Sequence, residues 1–175
     1  MSQIPNYPEA RTGREKQLYN ENNIRQVAGC IPIDPSTGRI MLISSSKHKG
    51  VWVIPKGGWE NDETQIEAAM RETYEEGKTH IHNFFLSFFH TRTPGVHGTV
   101  TGFVGTFFDY LFNGDPKTQF WIYELKVNEI LDQWPEHYKR ERRWFTYPEA
   151  MIALSAKPLM QEALSRSSLA PRPSS

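Results

Sequence analysis

Gly57-Gly-Trp-Glu-Asn-Asp-Glu63-Thr-Gln-Ile-Glu-Ala-Ala-Met-Arg71-Glu-Thr-Tyr-Glu-Glu76 is the stretch whose reading decides the fold. From Thr64 to Glu76 it contains neither Gly nor Pro, and Ile66, Ala69, Met70 and Thr73 recur at helical spacing, which predicts a helix over 64–76. Glu72 and Glu76 stand four residues apart and share one helical face, with Glu75 beside them. Like charges so placed destabilise a bare helix. They make better sense around a hard divalent cation such as Mg²⁺ or Mn²⁺, which takes oxygen ligands and leaves room for phosphate oxygens. Just upstream, Lys56-Gly57-Gly58 reads as a turn whose backbone can approach a metal or a phosphate closely, because two of its residues lack side chains.

Outward from this stretch, Val27-Ala-Gly-Cys-Ile-Pro-Ile33 and Arg39-Ile-Met-Leu-Ile-Ser44, joined through Pro35-Ser-Thr-Gly38, read as two strands, and Val51-Trp-Val-Ile-Pro55 as a third. Phe103 to Phe112 and Phe120 to Val127 carry β-branched and aromatic residues on either side of the turn signal Asn113-Gly-Asp-Pro116, which predicts a hairpin. Tyr147 to Leu154 and Met160 to Leu164 read as helices divided by Lys157-Pro158. Strands, one long helix, a hairpin and terminal helices predict an α/β sandwich in which helices cover a mixed sheet. Residues 1–23 lack an apolar period and read as an N-terminal arm whose basic Arg11, Arg14 and Lys16 could touch a ligand. The domain proper is placed at 24–164, and the Ser/Pro-rich residues 165–175 read as a disordered tail.

The chain has 175 residues, enough for one domain, with 38% hydrophobic residues to fill a core. Lys and Arg total 20 against 20 Asp and Glu, so no global field draws the protein to nucleic acid or membrane, and any anion site must be local. One cysteine, Cys30, excludes an intrachain disulfide framework and a cysteine-based zinc site, and fits a reducing compartment. The absence of a secretory signal and of an apolar run long enough to span a bilayer leads to the expectation of a soluble protein of the cytoplasm or nucleus. Nothing in the sequence suggests an interface, so a monomer is expected.

Gly57, five residues, Glu63, seven residues, then Arg71-Glu-Thr-Tyr-Glu-Glu76 resembles the Nudix box. The resemblance implies an α/β/α sandwich and hydrolysis of a diphosphate linked to a further moiety. Ser44-Ser-Ser-Lys-His48, Trp52-Val-Ile-Pro-Lys-Gly-Gly58, Trp134-Pro-Glu136, Lys139-Arg-Glu-Arg-Arg-Trp-Phe145 and Lys157-Pro158 resemble, more narrowly, the diphosphoinositol polyphosphate phosphohydrolase (diadenosine polyphosphate hydrolase) subfamily of fungal type. Diphosphoinositol polyphosphates, diadenosine polyphosphates and inorganic polyphosphate are the substrates this implies. Residue by residue, it implies metal coordination by Glu72, Glu76 and the backbone carbonyl of Lys56, Glu75 as general base and Arg71 as a brace for the carboxylates. It further implies a basic substrate wall of Arg25, Ser45, Ser46, Lys47, Arg140 and Lys157, beside Gly57 and Gly58, with Lys117, Arg142 and Arg143 as weaker candidates.

After Glu76 the box expects one residue, then Gly and an apolar residue, yet its ending resumes only at Gly95-Val96-His97-Gly98. Residues 77–94 therefore read as an insert or a retained intron: Gly77-Lys78 can be encoded by a splice-donor-like GGTAAG, and Phe84 to Phe89 by an unbroken pyrimidine tract. His80, His82 and His90 lie in this insert without ligand partners at metal spacing. Gly77-Lys-Thr79 is no P-loop, since the glycine required five positions earlier is Glu72. The Lys139 to Arg143 cluster is better suited to phosphate than to nucleic acid. Two other functions stay open: a hydrolase of another diphosphate, such as capped RNA or a nucleotide sugar, and an inositol phosphate-binding module without catalysis.

Overall fold

The computed structural model describes residues 13–77, 79–80, 98–130 and 140–172. Arg11, His82, His90, Trp134 to Glu136 and Lys139, with most of the insert and the last residues of the tail, lie outside them. Among the described residues nine strands and three helices follow in chain order: β1 Arg25–Ile33, β2 Ile40–Ser44, β3 Trp52–Val53, β4 Lys56–Gly58, α1 Gln65–Gly77, β5 Thr79–His80, β6 Gly98–Tyr110, β7 Pro116–Val127, β8 Glu129–Ile130, β9 Arg142–Phe145, α2 Tyr147–Ala153 and α3 Pro158–Ser165. Seven of the strands form one mixed sheet with the order β3-β2-β1-β7-β6, β4 pairing with β1 and β9 with β2. The β1–β7 pair is parallel and the others are antiparallel. β5 and β8 pair with each other separately.

The central strand explains the layers. β1 is buried along Gln26 to Pro32, as a strand covered on both faces must be. On one face, Ala28 and Cys30 meet Ala68 and Ala69 of α1 with Tyr123, Leu125 and Val127 of β7. Small residues on both sides let the helix lie close to the sheet. On the other face, Ile31, Ile40, Leu42, Ile54, Phe107 and Ile122 pack against Ala150, Met160, Ala163 and Leu164 from the two terminal helices and Leu154, which caps α2. Burying each of the larger side chains contributes about 1.5–3 kcal/mol. The result is the α/β sandwich with a mixed sheet that the sequence predicts.

Three details go beyond the sequence reading. Lys56–Gly58 is a strand as well as a turn: Val27 pairs with Gly58, Ala28 with Gly57 and Gly29 with Lys56. The glycines allow it, since a Cβ on Gly29 would lie 2.4 Å from the Pro55 carbonyl oxygen. Gln17 and Tyr19, in the stretch read as an arm, form bridges to Glu60 and Arg25. Past α3, Leu169 packs on the core and the Ser168 hydroxyl donates to Glu124 Oε2 at 2.8 Å, so described structure continues beyond Ser165. Among the described residues no helix is long and apolar enough to cross a membrane.

Candidate active site

α1 carries the acidic residues, and its start is set by sequence. Thr64 N–H donates to Glu67 Oε2 at 2.7 Å while Glu67 N–H donates to Thr64 Oγ1 at 3.3 Å, a reciprocal capping box. The helix packs its alanine face on β1, which aims Glu72 and Glu76 at β4 and the open end of the sheet. A Cβ on Gly57 would stand 2.0 Å from Glu72 Cδ, so the glycine is what lets this carboxylate lie against the strand. Lys56 N–H donates to Glu76 Oε2 at 2.8 Å and ties the second carboxylate to the same strand.

Arg71 joins the acidic residues from behind. Its Nε donates to Glu63 Oε2 at 2.9 Å, Nη2 to Glu63 Oε1 at 2.7 Å and to the Gly58 carbonyl at 2.9 Å, and Nη1 to Glu72 Oε1 at 2.8 Å. Glu75 Oε2 is 3.5 Å from Nη1. Burial works against the Arg71 charge, but the Glu63 hydrogen bonds and the charges of Glu72, Glu63 and Glu75 outweigh it and hold the guanidinium above its usual value. Arg71 thus reaches Glu63, the β4 backbone and two helix carboxylates at once. On the other side, Arg140 Nη2 pairs with Glu76 Oε1 at 2.5 Å, and its Nη1 donates to the Ser44 carbonyl at 3.3 Å. Burial pushes the Glu76 carboxyl up to about 7 against the opposing pull of Arg140 and Lys56.

These groups open on a cleft of about 960 Å³. Arg25, Ser45, Ser46, Lys47, Lys56, Gly57, Gly58, Glu72, Glu76, Arg140 and Lys157 all line it, so one wall brings together eleven of the thirteen site residues named from sequence. Arg71 and Glu75 are not among the residues that line it: Arg71 Nη1 bonds Glu72 and lies 3.5 Å from Glu75 Oε2. The Ser45 hydroxyl accepts the Lys47 and His48 N–H groups, each at 3.2 Å, which curls the β2–β3 loop, and Lys47 and His48 line the cleft. Burial lowers the Lys56 ammonium, with Arg140 and Lys157 adding to the shift; burial and Arg14 lower Arg25. Cations crowded so closely are complementary to a polyanion.

Of the weaker candidates, Lys117 lines the cleft, whereas Arg143 lies over the Trp52 ring at 5.4 Å and, like Arg142, is not on the cleft wall. Arg14 of the arm reaches the cleft, but Lys16 instead pairs with Asp62 at 3.3 Å. Gln17, Tyr19, Asp109, Thr118 and Phe120 also line it without having been singled out from sequence. No local pattern marks them, because they come from the arm and from the far end of the hairpin. Among the described residues no three His, Cys, Asp or Glu side chains converge as a closed metal cage. Mg²⁺ needs none, since it is commonly held through one or two carboxylates together with substrate phosphates, and Glu72 and Glu76 both line the cleft.

Comparison with known proteins gives the family and the fold. The family model described as the NUDIX domain matches residues 23–166. The chain is 36% identical to Nudix hydrolase 16, mitochondrial, of Arabidopsis thaliana, over 89% of this chain and 85% of that protein. It is 29% identical to diphosphoinositol polyphosphate phosphohydrolase 3-alpha of Homo sapiens, over 91% and 87%. A C. elegans Ap4A hydrolase crystal structure superposes with a TM-score of 0.56 at 20% identity, over 82% of this chain and 95% of that one, a likeness of fold. The cytoplasmic or nuclear location expected from sequence is corrected by these relatives: Nudix hydrolases 16, 12 and 13 of Arabidopsis thaliana, each 36% identical, are named as mitochondrial. The expectation rested on the lack of an apolar leader, and mitochondrial addressing uses amphipathic, Arg- and Ser-rich segments that such a test does not see.

Proposed function

The chain belongs to the NUDIX domain family and is a hydrolase of pyrophosphate bonds, and from that premise we propose that it is a Mg²⁺-dependent pyrophosphohydrolase of diphosphoinositol polyphosphates and diadenosine polyphosphates, with inorganic polyphosphate as a further substrate. The observation that carries this reading is the pairing, in one cleft, of Glu72 and Glu76 with cations from five separate parts of the chain: Arg25, Lys47, Lys56, Arg140 and Lys157. The name of the human relative, a diphosphoinositol polyphosphate phosphohydrolase, supports this reading.

Glu72, Glu76 and the Lys56 carbonyl would hold the metal, Mg²⁺ or Mn²⁺. When bound, the cation neutralises phosphate charge and acidifies water within its reach. Glu75 takes the proton of the attacking water, and Arg71 holds Glu72 and Glu75 in register by bonding both and the β4 backbone. Arg25, Ser45, Ser46, Lys47, Arg140 and Lys157, with the Gly57 and Gly58 backbone, seat the phosphates.

Phosphate release from a diphosphoinositol polyphosphate and from diadenosine tetraphosphate, with Mg²⁺ and with EDTA, tests the proposal. Turnover that requires Mg²⁺ and falls by roughly a thousandfold or more in Glu75→Gln and Glu76→Gln is the expected outcome. Rates near wild type in either variant would remove the assigned role, and preference for capped RNA or a nucleotide sugar would replace the substrate class. Running the assay beside a chain lacking residues 77–94 tests the retained-intron reading, which expects the shortened chain to be the faster enzyme.

A further inference from the structure

The segment ahead of β1 is joined to the loop that follows β4. Leu18 N–H donates to the Trp59 carbonyl at 2.8 Å, Gln26 N–H donates to the Leu18 carbonyl at 3.0 Å, and Gln17 forms a bridge to Glu60. These bonds hold the Gln17 backbone, and its side chain lies over Gly58, where a Cβ would come within 2.4 Å of the amide group. From that position Gln17 Oε1 accepts the Arg25 Nε–H at 2.8 Å. Both side chains line the cleft, and Gln17 is the side chain that holds the Arg25 guanidinium there by a hydrogen bond.

A guanidinium is planar, so holding Nε–H sets the plane and leaves the terminal Nη groups as a fork matched to two oxygens of one phosphate. An arginine ordered before the ligand arrives gives up its rotamer freedom on folding instead of on binding. Resting on the polyphosphate reading above, we infer that Gln17 is a positioning residue: it orients Arg25 as a phosphate fork, and the cleft's affinity for polyphosphate depends on this neutral side chain. The opposing account has the Gln17 amide meeting the ligand itself. The two differ in whether Gln17 still matters once Arg25 is changed.

The test is tripolyphosphate binding by calorimetry to the full chain, in a double-mutant cycle of Gln17→Met, which keeps shape and loses the acceptor, with Arg25→Lys, which keeps charge and loses Nε–H. Circular dichroism melts establish that each variant is folded, and Arg25→Met replaces any Arg25→Lys protein that is not. Expected is about a tenfold rise in Kd for Gln17→Met alone and less than about a twofold rise when it is added to Arg25→Lys. Equal losses in both backgrounds, or no loss in wild type, would overturn the positioning role while leaving the substrate reading intact. Wild-type protein that does not bind tripolyphosphate would overturn the polyphosphate reading and the inference with it.

Discussion

Gly57 shows how much a single position carries. A Cβ there would fall 2.0 Å from Glu72 Cδ, and its backbone pairs with Ala28 in the sheet, so an added methyl can be accommodated only by moving the carboxylate. Gly57→Ala is expected to keep its melting temperature and to lose about a hundredfold in turnover, the usual consequence of a displacement of this size at reacting groups. Steady-state rates beside a thermal melt check this, and unchanged turnover would mean that the placement of Glu72 is immaterial. The sequence showed that Gly57 and Gly58 permit a close approach. What approaches is two side chains of this same chain, Glu72 at Gly57 and Gln17 at Gly58. Such a partner is invisible locally, since Gln17 is neutral and sits in a stretch without apolar period.

α1 was legible almost to its ends, because the apolar spacing and the absence of Gly and Pro lie within one segment; the Thr64–Glu67 box that fixes its start is a finding of the structure. Thr64→Ala removes one member of that box and is expected to cost about 1 kcal/mol. In a domain of this size that is a fall of roughly 2–4 °C in melting temperature, measured by differential scanning calorimetry. A change under about half a degree would show that packing on β1 alone sets where the helix begins. The hairpin of β6 and β7 was legible for a similar reason, its turn signal lying between two aromatic and β-branched runs. β4 was not: three residues with two glycines carry no strand pattern, and Lys56–Gly58 is extended because β1 offers it an edge.

The two faces of the sheet divide the work of the whole molecule, α1 covering one and the terminal helices the other, with the cleft at the open end where both meet. With 20 basic and 20 acidic residues the chain has no net field, so attraction of a polyanion comes from the cleft alone and acts over short range. Raising NaCl from about 50 mM to about 500 mM is expected to raise KM for a polyphosphate substrate about threefold or more while changing kcat less, as steady-state rates would show. A flat KM would mean that charge is not what the cleft recognises. Sequence alone determined the acidic helix, its glycine-bearing approach and the alternation of elements, since each depends on neighbours within a few residues. Only the tertiary structure decided that Arg25, Lys47, Arg140 and Lys157 line one cleft with those carboxylates, and that Gln17 holds Arg25 there. The physical reason is that this convergence follows from the strand order β3-β2-β1-β7-β6 and its parallel β1–β7 pair, a global packing solution written in no single stretch of the chain.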